Sequence, residues 1–232
     1  PPRRARATPS PMTAAAPDPA RLAADRFRLD GPYARRRLAL SLVVGTIGNV
    51  GMWVVIMVLP AVQAEFGGAR ADASLPYTLT MAGFAAGNLL IGRWVDRFGV
   101  APVLIGAALA LGASFTAAAS APSALTLALV HLPLGFATAA SFAPLIADVS
   151  HWFLKRRGIA VAAVASGNYL AGAIWPVALS GLLAAEGWRA VYLLLAVATS
   201  VSMVPLALLL RRRPPADAHA AAESLARAAA AR

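Results

Sequence analysis

Six residues combine a polar or π-rich head group with surroundings that carry no charge: Asn49, Trp53, Asn88, His131, Asn168 and Trp175. Amides and indoles placed this way can hold a small polar solute between hydrogen bonds and a flat apolar wall. His131 can in addition change its charge near neutral pH. Each such group costs energy in an apolar medium unless it faces protein or water. Their spacing sorts them onto helical faces: Thr46, Asn49 and Trp53 recur at three and four residues, Tyr77, Phe84 and Asn88 align, and Asn168 lies two turns before Trp175 with Tyr169 beside it. The competing reading of each is hydrogen bonding between packed helices. A second constellation is charged. In Gly92-Arg93-Trp94-Val95-Asp96-Arg97-Phe98-Gly99 an acid sits among bases and glycines, where Gly92 and Gly99 permit a sharp reversal. Taken alone, that is a solvated turn with a surface ion pair worth about 0 to 1 kcal/mol.

The elements that position these residues are set by charge-free runs. Residues 38–64, 73–92, 98–147, 159–185 and 190–210 contain no Asp, Glu, Lys or Arg, and a bilayer core takes roughly 20 apolar residues per helix. The longest run, 98–147, is broken at Ser120-Ala121-Pro122-Ser123 and reads as two spans. Six helices are therefore predicted, at about 38–60, 76–93, 100–119, 124–148, 158–183 and 189–210. They are apolar all round with Gly, Ala, Ser and Thr interspersed, as helices packed within lipid are. The fold class is all-α, integral membrane. Gly83 and Gly87 form a small-xxx-small pair that predicts close packing.

Orientation follows from the bases. Arg35, Arg36, Arg37, Arg93, Arg97, Lys155, Arg156, Arg157, Arg211, Arg212 and Arg213 fall on one side and only Arg70 and Arg189 on the other, which predicts cytoplasmic termini in a multi-pass protein of the inner or plasma membrane. The formal net charge of +11 is spread over tails and membrane-edge loops. That distribution excludes a nucleic-acid surface and makes lipid headgroups the partner. With no cysteine, disulfides and thiolate metal sites are out, and no metal or other cofactor is expected. Residues 1–34, rich in Pro, Ala and Arg, read as a disordered cytoplasmic tail; 35–213 form the six-helix bundle; 214–232 read as a tail or the start of a linker.

GRWVDRFG, between the second and third helices, resembles the loop signature G-x-x-x-D-[RK]-x-G-[RK] of the major facilitator superfamily. Gly92, Asp96, Arg97 and Gly99 match, and Val100 departs from the final basic position. The resemblance implies a secondary transporter working by alternating access, in which the acid faces the positive end of a helix in an opposite half and latches the cytoplasmic side. It makes Gly92, Asp96, Arg97 and Gly99 the cytoplasmic gate. Asp148 joins them: it ends the fourth helix, where the dipole disfavours an anion, so a cation is needed. Arg97 or Arg93 is the expected partner, with Lys155 to Arg157 as alternatives. His131 stands where many members carry Arg in an R-x-x-x-G motif. One reading gives it a role in proton coupling or anion contact; the other makes it a neutral imidazole bonded to a carbonyl freed by Pro133.

Trp152-Phe153-Leu154-Lys155-Arg156-Arg157-Gly158-Ile159-Ala160, with Trp175-Pro176 and Gly187-Trp188-Arg189, resembles the monocarboxylate and oxalate/formate porters. The first of these stretches also reads as a membrane-edge anchor, with aromatics at headgroup depth. The branch implies a small organic anion as substrate, with protons as the candidate coupling ion. Family members have two six-helix halves, and this chain holds the N-terminal one, expected to contain two inverted three-helix repeats. The arginine that meets the carboxylate in this branch lies in the other half, so no residue here takes that role. A chain beginning with Pro fits a piece of a longer protein, with paired six-helix protomers as the alternative. Competing classes are an intramembrane enzyme and a non-transporting scaffold or sensor. Against the enzyme, Gly112-Ala113-Ser114-Phe115 lacks the glycine a rhomboid-type serine needs, and no H-E-x-x-H or paired acids appear.

Overall fold

The computed structural model describes residues 29–67 and 70–212, and the expected tails at 1–28 and 214–232 lie outside the described residues. The helices, in chain order, are α1 (Pro32–Gly48), α2 (Val50–Phe66), α3 (Arg70–Phe98), α4 (Val100–Ala119), α5 (Ala124–Ala139), α6 (Ala143–Ser150) and α7 (Arg157–Leu209). Among the described residues they make six spans. α1 and α2 run on as the first, α3 is the second and α4 the third; α5 and α6 form the fourth. The 53 residues of α7 would extend about 80 Å at 1.5 Å per residue, too long for a single crossing. α7 changes direction at Gly187, whose φ of 80° and ψ of 178° are not helical, and so supplies the fifth and sixth spans. Among the described residues, four stretches, Pro32–Phe66, Val100–Ala119, Ala124–Ser150 and Arg157–Leu209, are long and apolar enough to cross a membrane by length and composition. The first helix starts at Pro32, inside the expected tail, because proline at the first turn is pre-set for helix and loses no needed donor.

Two spans are broken at mid-length, and the breaks face each other. α1 ends at Gly48, and Asn49, at φ −75° and ψ −1°, joins it to α2. The fourth span loosens at residues 140–142, where Ala140, Ser141 and Phe142 donate three residues back instead of four. Asn49 Nδ2 bridges the two breaks, donating to Gly45 O at 2.7 Å and to Ser141 O at 3.1 Å. Gly48 and Gly51 lie against Ser141 and Thr138, so this crossing has no room for a Cβ.

Small residues mark the other crossings as well. Gly83 and Gly87 of α3 rest on the α5 backbone around Leu132 and Phe136, while Gly135 of α5 rests on the Thr80 carbonyl of α3. The predicted small-xxx-small contact is thus the seam between the second and fourth spans. Gly167 of α7 meets α1 at Leu42 and Thr46, and Gly112 of α4 meets Ser200 and Ala196 of α7. Close approach is what drives association where lipid is as apolar as the side chains.

These pairings reveal two repeats. If spans one to three are exchanged with four to six, the 2–4 seam becomes the 5–1 seam, and the 1–4 and 3–6 seams map onto themselves. The broken spans are the first of each triplet. The second-to-third turn uses Gly99 (φ 89°, ψ 167°) and the fifth-to-sixth turn uses Gly187 in almost the same conformation. Because three spans separate them, the two turns lie at opposite ends of the bundle, and the repeats are inverted.

A Gly135→Ala substitution should test the 2–4 seam. Its methyl group would overlap the Thr80 backbone, and overpacking of this kind costs about 1–3 kcal/mol. A lowered midpoint of thermal unfolding in detergent is expected, whereas Gly106→Ala, with open space around its Cβ, should leave it unchanged.

Candidate functional site

Span one and span five meet along a half-buried face that brings three of the six singled-out residues together. Trp53 Nε1 donates to Asn168 Oδ1 at 3.2 Å, and Trp175 Nε1 donates to Thr46 O at 2.9 Å. Thr46 Oγ1 in turn donates to Leu42 O. The Trp53 ring lies flat enough on α7 that a Cβ at Gly172 would come within 2.8 Å of it, so Gly172 is what lets the indole seat there. Asn168 spends its carbonyl oxygen on Trp53, and its Nδ2 donor has no partner among the described residues and is not shut away from solvent. The outcome is a flat indole wall with one free amide donor and Tyr169 exposed beside it. Such a face can accept an anionic or carbonyl oxygen.

The other three residues are placed elsewhere. Asn49 is 1% exposed and turned into the break between spans one and four, so it closes backbone gaps instead of lining a cavity. Asn88 Nδ2 donates to Phe84 O at 2.9 Å, and its Oδ1 is buried without a partner. His131 is fully buried, with Nδ1 2.8 Å from Leu127 O and Nε2 3.0 Å from the Tyr192 hydroxyl. A carbonyl only accepts, so Nδ1 carries the proton and Nε2 accepts from Tyr192. The imidazole is satisfied on both sides, between the fourth and sixth spans. Its carbonyl partner is that of Leu127, one turn back from His131 itself, and not the Leu129 carbonyl that Pro133 leaves free. Tyr192 was the missing signal: a tyrosine inside the sixth span needs a hydroxyl partner as much as the histidine does.

At the arginine-rich end the expected charge network takes a different form. Asp148 does not pair with Arg93, Arg97 or residues 155–157. Its partner is Arg37, whose Nε donates to Oδ2 at 2.6 Å and whose Nη2 donates to Oδ1 at 2.8 Å, in a two-pronged fork. Nη2 also donates to Leu210 O at 2.8 Å, Nη1 to the Tyr33 hydroxyl at 3.3 Å, and the guanidinium lies 4.9 Å from the Trp152 ring centroid. Both side chains are almost wholly buried. The reason is direction: Arg37 points inward from the start of α1 across the end of α6, while Arg93 and Arg97 are on the outer surface of α3. Trp152 and Phe153, read as a membrane-edge anchor, are buried too, Trp152 against Tyr33 at 4.9 Å between centroids. Asp30, in a left-handed conformation that Asp tolerates, ties the chain ahead of α1 to this loop by accepting from Leu154 N and Lys155 N.

The turn motif itself is open. Gly92 has free space around it, Asp96 and Arg97 are exposed, and Asp96 makes no hydrogen bond or ion pair among the described residues. Gly99 carries the reversal, with its N–H bonded to Val95 O at 2.7 Å. At the opposite end Glu65 accepts from Arg189 Nη1 at 2.6 Å and Trp188 Nε1 at 2.7 Å, and Arg189 Nη2 reaches Ala121 O. The hydrogen bond from Arg189 holds the Glu65 carboxyl below its usual 4.5.

Comparison with known proteins adds the family context. The model of the Major Facilitator Superfamily matches residues 41–231. Monocarboxylate transporter 11 of Homo sapiens is 31% identical over 205 residues, covering 84% of this chain and 40% of that protein. Tetracycline resistance protein, class E, of Escherichia coli is 33% identical over 130 residues, 51% of this chain and 32% of that one. The probable sulfoacetate transporter SauU of Cupriavidus necator is 28% identical over 137 residues, 59% and 32% respectively. Among solved structures, a bacterial homolog of the human lysosomal transporter Spinster, inward-facing and unoccupied, superposes with a TM-score of 0.65 at 17% identity, over 79% of this chain and 44% of that chain. The chain spans no more than 40% of the length of these curated relatives.

Arg37→Ala should destabilise the bundle by about 3–5 kcal/mol, since it strands a buried carboxylate. Joint replacement of Arg37→Met and Asp148→Leu should recover much of that loss, and thermal unfolding of the three proteins checks both. For Glu65, a depressed folded-state value means stability that is present above the ordinary carboxylate value and lost as pH falls through the lowered one. The stability gap between wild type and Glu65→Gln is therefore expected at pH 7 and should vanish in acid, below 4.5.

Proposed function

From the premise that this chain belongs to the major facilitator superfamily, we propose that it forms one six-helix half of a secondary transporter for a small organic anion. A second six-helix bundle, on the same polypeptide or on a second copy, completes the solute path, and the two rock against each other about it. The observation that carries this reading is the Trp53, Asn168 and Trp175 face, where a free amide donor stands beside indole walls. A carboxylate oxygen could take the Asn168 N–H, and the indoles exclude water from its apolar part. The relatives include proteins named for monocarboxylate and sulfoacetate transport, and this chemistry suits either anion.

The gate follows from Asp96. An exposed carboxylate without a partner among the described residues, on the turn between spans two and three, is available to the positive N-terminal end of a helix in the opposite bundle. Gly92 and Gly99 set its height, Arg97 flanks it, and Asp148 supports it indirectly by holding Arg37 in the interior. The arginine-rich end, with its eleven bases against two, faces the cytoplasm in a cell or plasma membrane.

Uptake of a labelled short-chain monocarboxylate into vesicles containing the full-length protein, driven by an imposed pH gradient, tests solute class and proton coupling together. Losing a hydrogen bond to a charged group costs about 1.5–3 kcal/mol, so Asn168→Ala should lower kcat/KM at least about tenfold. No flux with any small anion would overturn the proposed substrate class.

A further inference from the structure

Asn49, Asn88 and Asn168 are the asparagines of this chain, and the first two use their side chains alike. Asn49 Nδ2 donates to Gly45 O and Asn88 Nδ2 to Phe84 O, each the carbonyl four residues earlier on its own span. In both, Oδ1 is left buried without a partner among the described residues. Asn168 does the reverse. Its Oδ1 is taken by Trp53 Nε1 at 3.2 Å, and its Nδ2 has no partner among the described residues. The carbonyl that stands to it as Gly45 O stands to Asn49 is that of Val164, one turn back.

The indole accounts for the exception. Trp Nε1 is a donor and nothing else, so the amide atom opposite it must be the oxygen; turned end for end, the amide would set N–H against N–H. Packing holds the indole to that task. Gly172 lies one turn beyond Asn168 on the same face of α7, and a Cβ there would come within 2.8 Å of Trp53 Cδ2 and 2.9 Å of Cε2, the two carbons its fused rings share. The ring therefore rests on Gly172 while its N–H edge reaches Asn168. The second indole also spends its N–H elsewhere, on Thr46 O. Of the three side chains that make this face, only the Asn168 NH2 is left for a solute, and it can only donate.

We propose that Trp53 is the positioning residue that sets the head-group preference of this face: by holding Asn168 as a donor, it selects an ionised carboxylate over the neutral carboxamide of the same carbon chain. The inference rests on the Trp53, Asn168 and Trp175 face being the solute site. A carboxylate is acceptor-only and takes a charge-assisted bond from the amide, roughly twice as strong as a neutral one. A carboxamide offers a weaker acceptor, and its own N–H groups meet no oxygen on these three side chains. Without the indole N–H the amide is free to turn, and its NH2 falls back on the Val164 carbonyl as those of Asn49 and Asn88 do on theirs. The face then presents an oxygen, which a carboxylate cannot use.

Uptake of labelled propionate by the full-length protein in vesicles, inhibited by unlabelled propionate or by propionamide, gives the ratio of two inhibition constants. That ratio does not depend on how much of the protein is folded. Wild type should favour propionate. Trp53→Phe should lower the preference roughly two- to tenfold, the worth of one competing neutral hydrogen bond. Gly172→Ala should lower it as well, because the added methyl displaces the ring while the indole N–H remains. In an Asn168→Ala background, with no amide to hold, Trp53→Phe should change the ratio no further. An indole acting only as a wall would give losses that add, and additive losses with wild-type uptake intact would overturn this inference alone. So would a ratio that neither Trp53→Phe nor Gly172→Ala moves. Absence of wild-type uptake of any small anion would overturn the solute-site reading and this inference with it.

Discussion

Arg37 carries a charge that an apolar interior rejects, and its near-complete enclosure is possible only because four partners converge on it. Asp148 closes the fourth span, Leu210 the sixth, and Tyr33 and Trp152 flank the start of the first. Tyr33 lies one turn away on the same helix, but Asp148, Trp152 and Leu210 come from distant stretches of chain, so the guanidinium is fully satisfied only once the helix ends have met. The guanidinium is planar and offers its donors in a fixed fork, which lysine could not copy. A buried pair of this sort adds little net stability over an apolar replacement, yet tolerates no half-measures. It selects one arrangement of helix ends over the looser alternatives that a bundle of Ala, Leu and Val would accept.

The opposite end is tied by a related device with different energetics. Arg37 reaches from the start of the first span to the end of the sixth; Arg189 reaches from the start of the sixth to the Glu65 carboxylate at the end of the first. The second pair is about 40% exposed on each side, so water screens it and its worth is that of a surface bridge. The bundle is thus clamped firmly at one end and loosely at the other. The end that holds the turn motif is also the end built to keep its shape.

Much of this fold could be read from charge alone. Six spans, the break at residues 120–123 and the third span at residues 100–119 follow from where arginines and prolines are absent or present. The charge pairing was not legible. Arg37 belongs to a run of three arginines, and nothing in Arg35-Arg36-Arg37 distinguishes the inward member from its two solvent-facing neighbours; only the helical phase relative to span four does. Trp152 was misread for the same reason, since a tryptophan beside lysine and arginine suits headgroup depth as well as it suits a guanidinium wall. At the candidate site, face spacing grouped Thr46 with Trp53 and Asn168 with Trp175 correctly, but it could not tell that Asn49, on the same face as Trp53, would be drawn inward by the break in its own helix.

Gly99 and Gly187 adopt nearly one conformation at opposite ends of the bundle, and the seams between spans exchange without remainder when the two triplets are swapped. The backbone therefore has no up or down of its own. Whatever polarity the molecule possesses is written in side chains: the arginines gathered at one rim, the buried fork there, and the open Asp96 with nothing answering it at the Gly187 turn. A chain of this shape could have entered the bilayer either way round, and a handful of basic codons decides which end of the bundle meets which compartment.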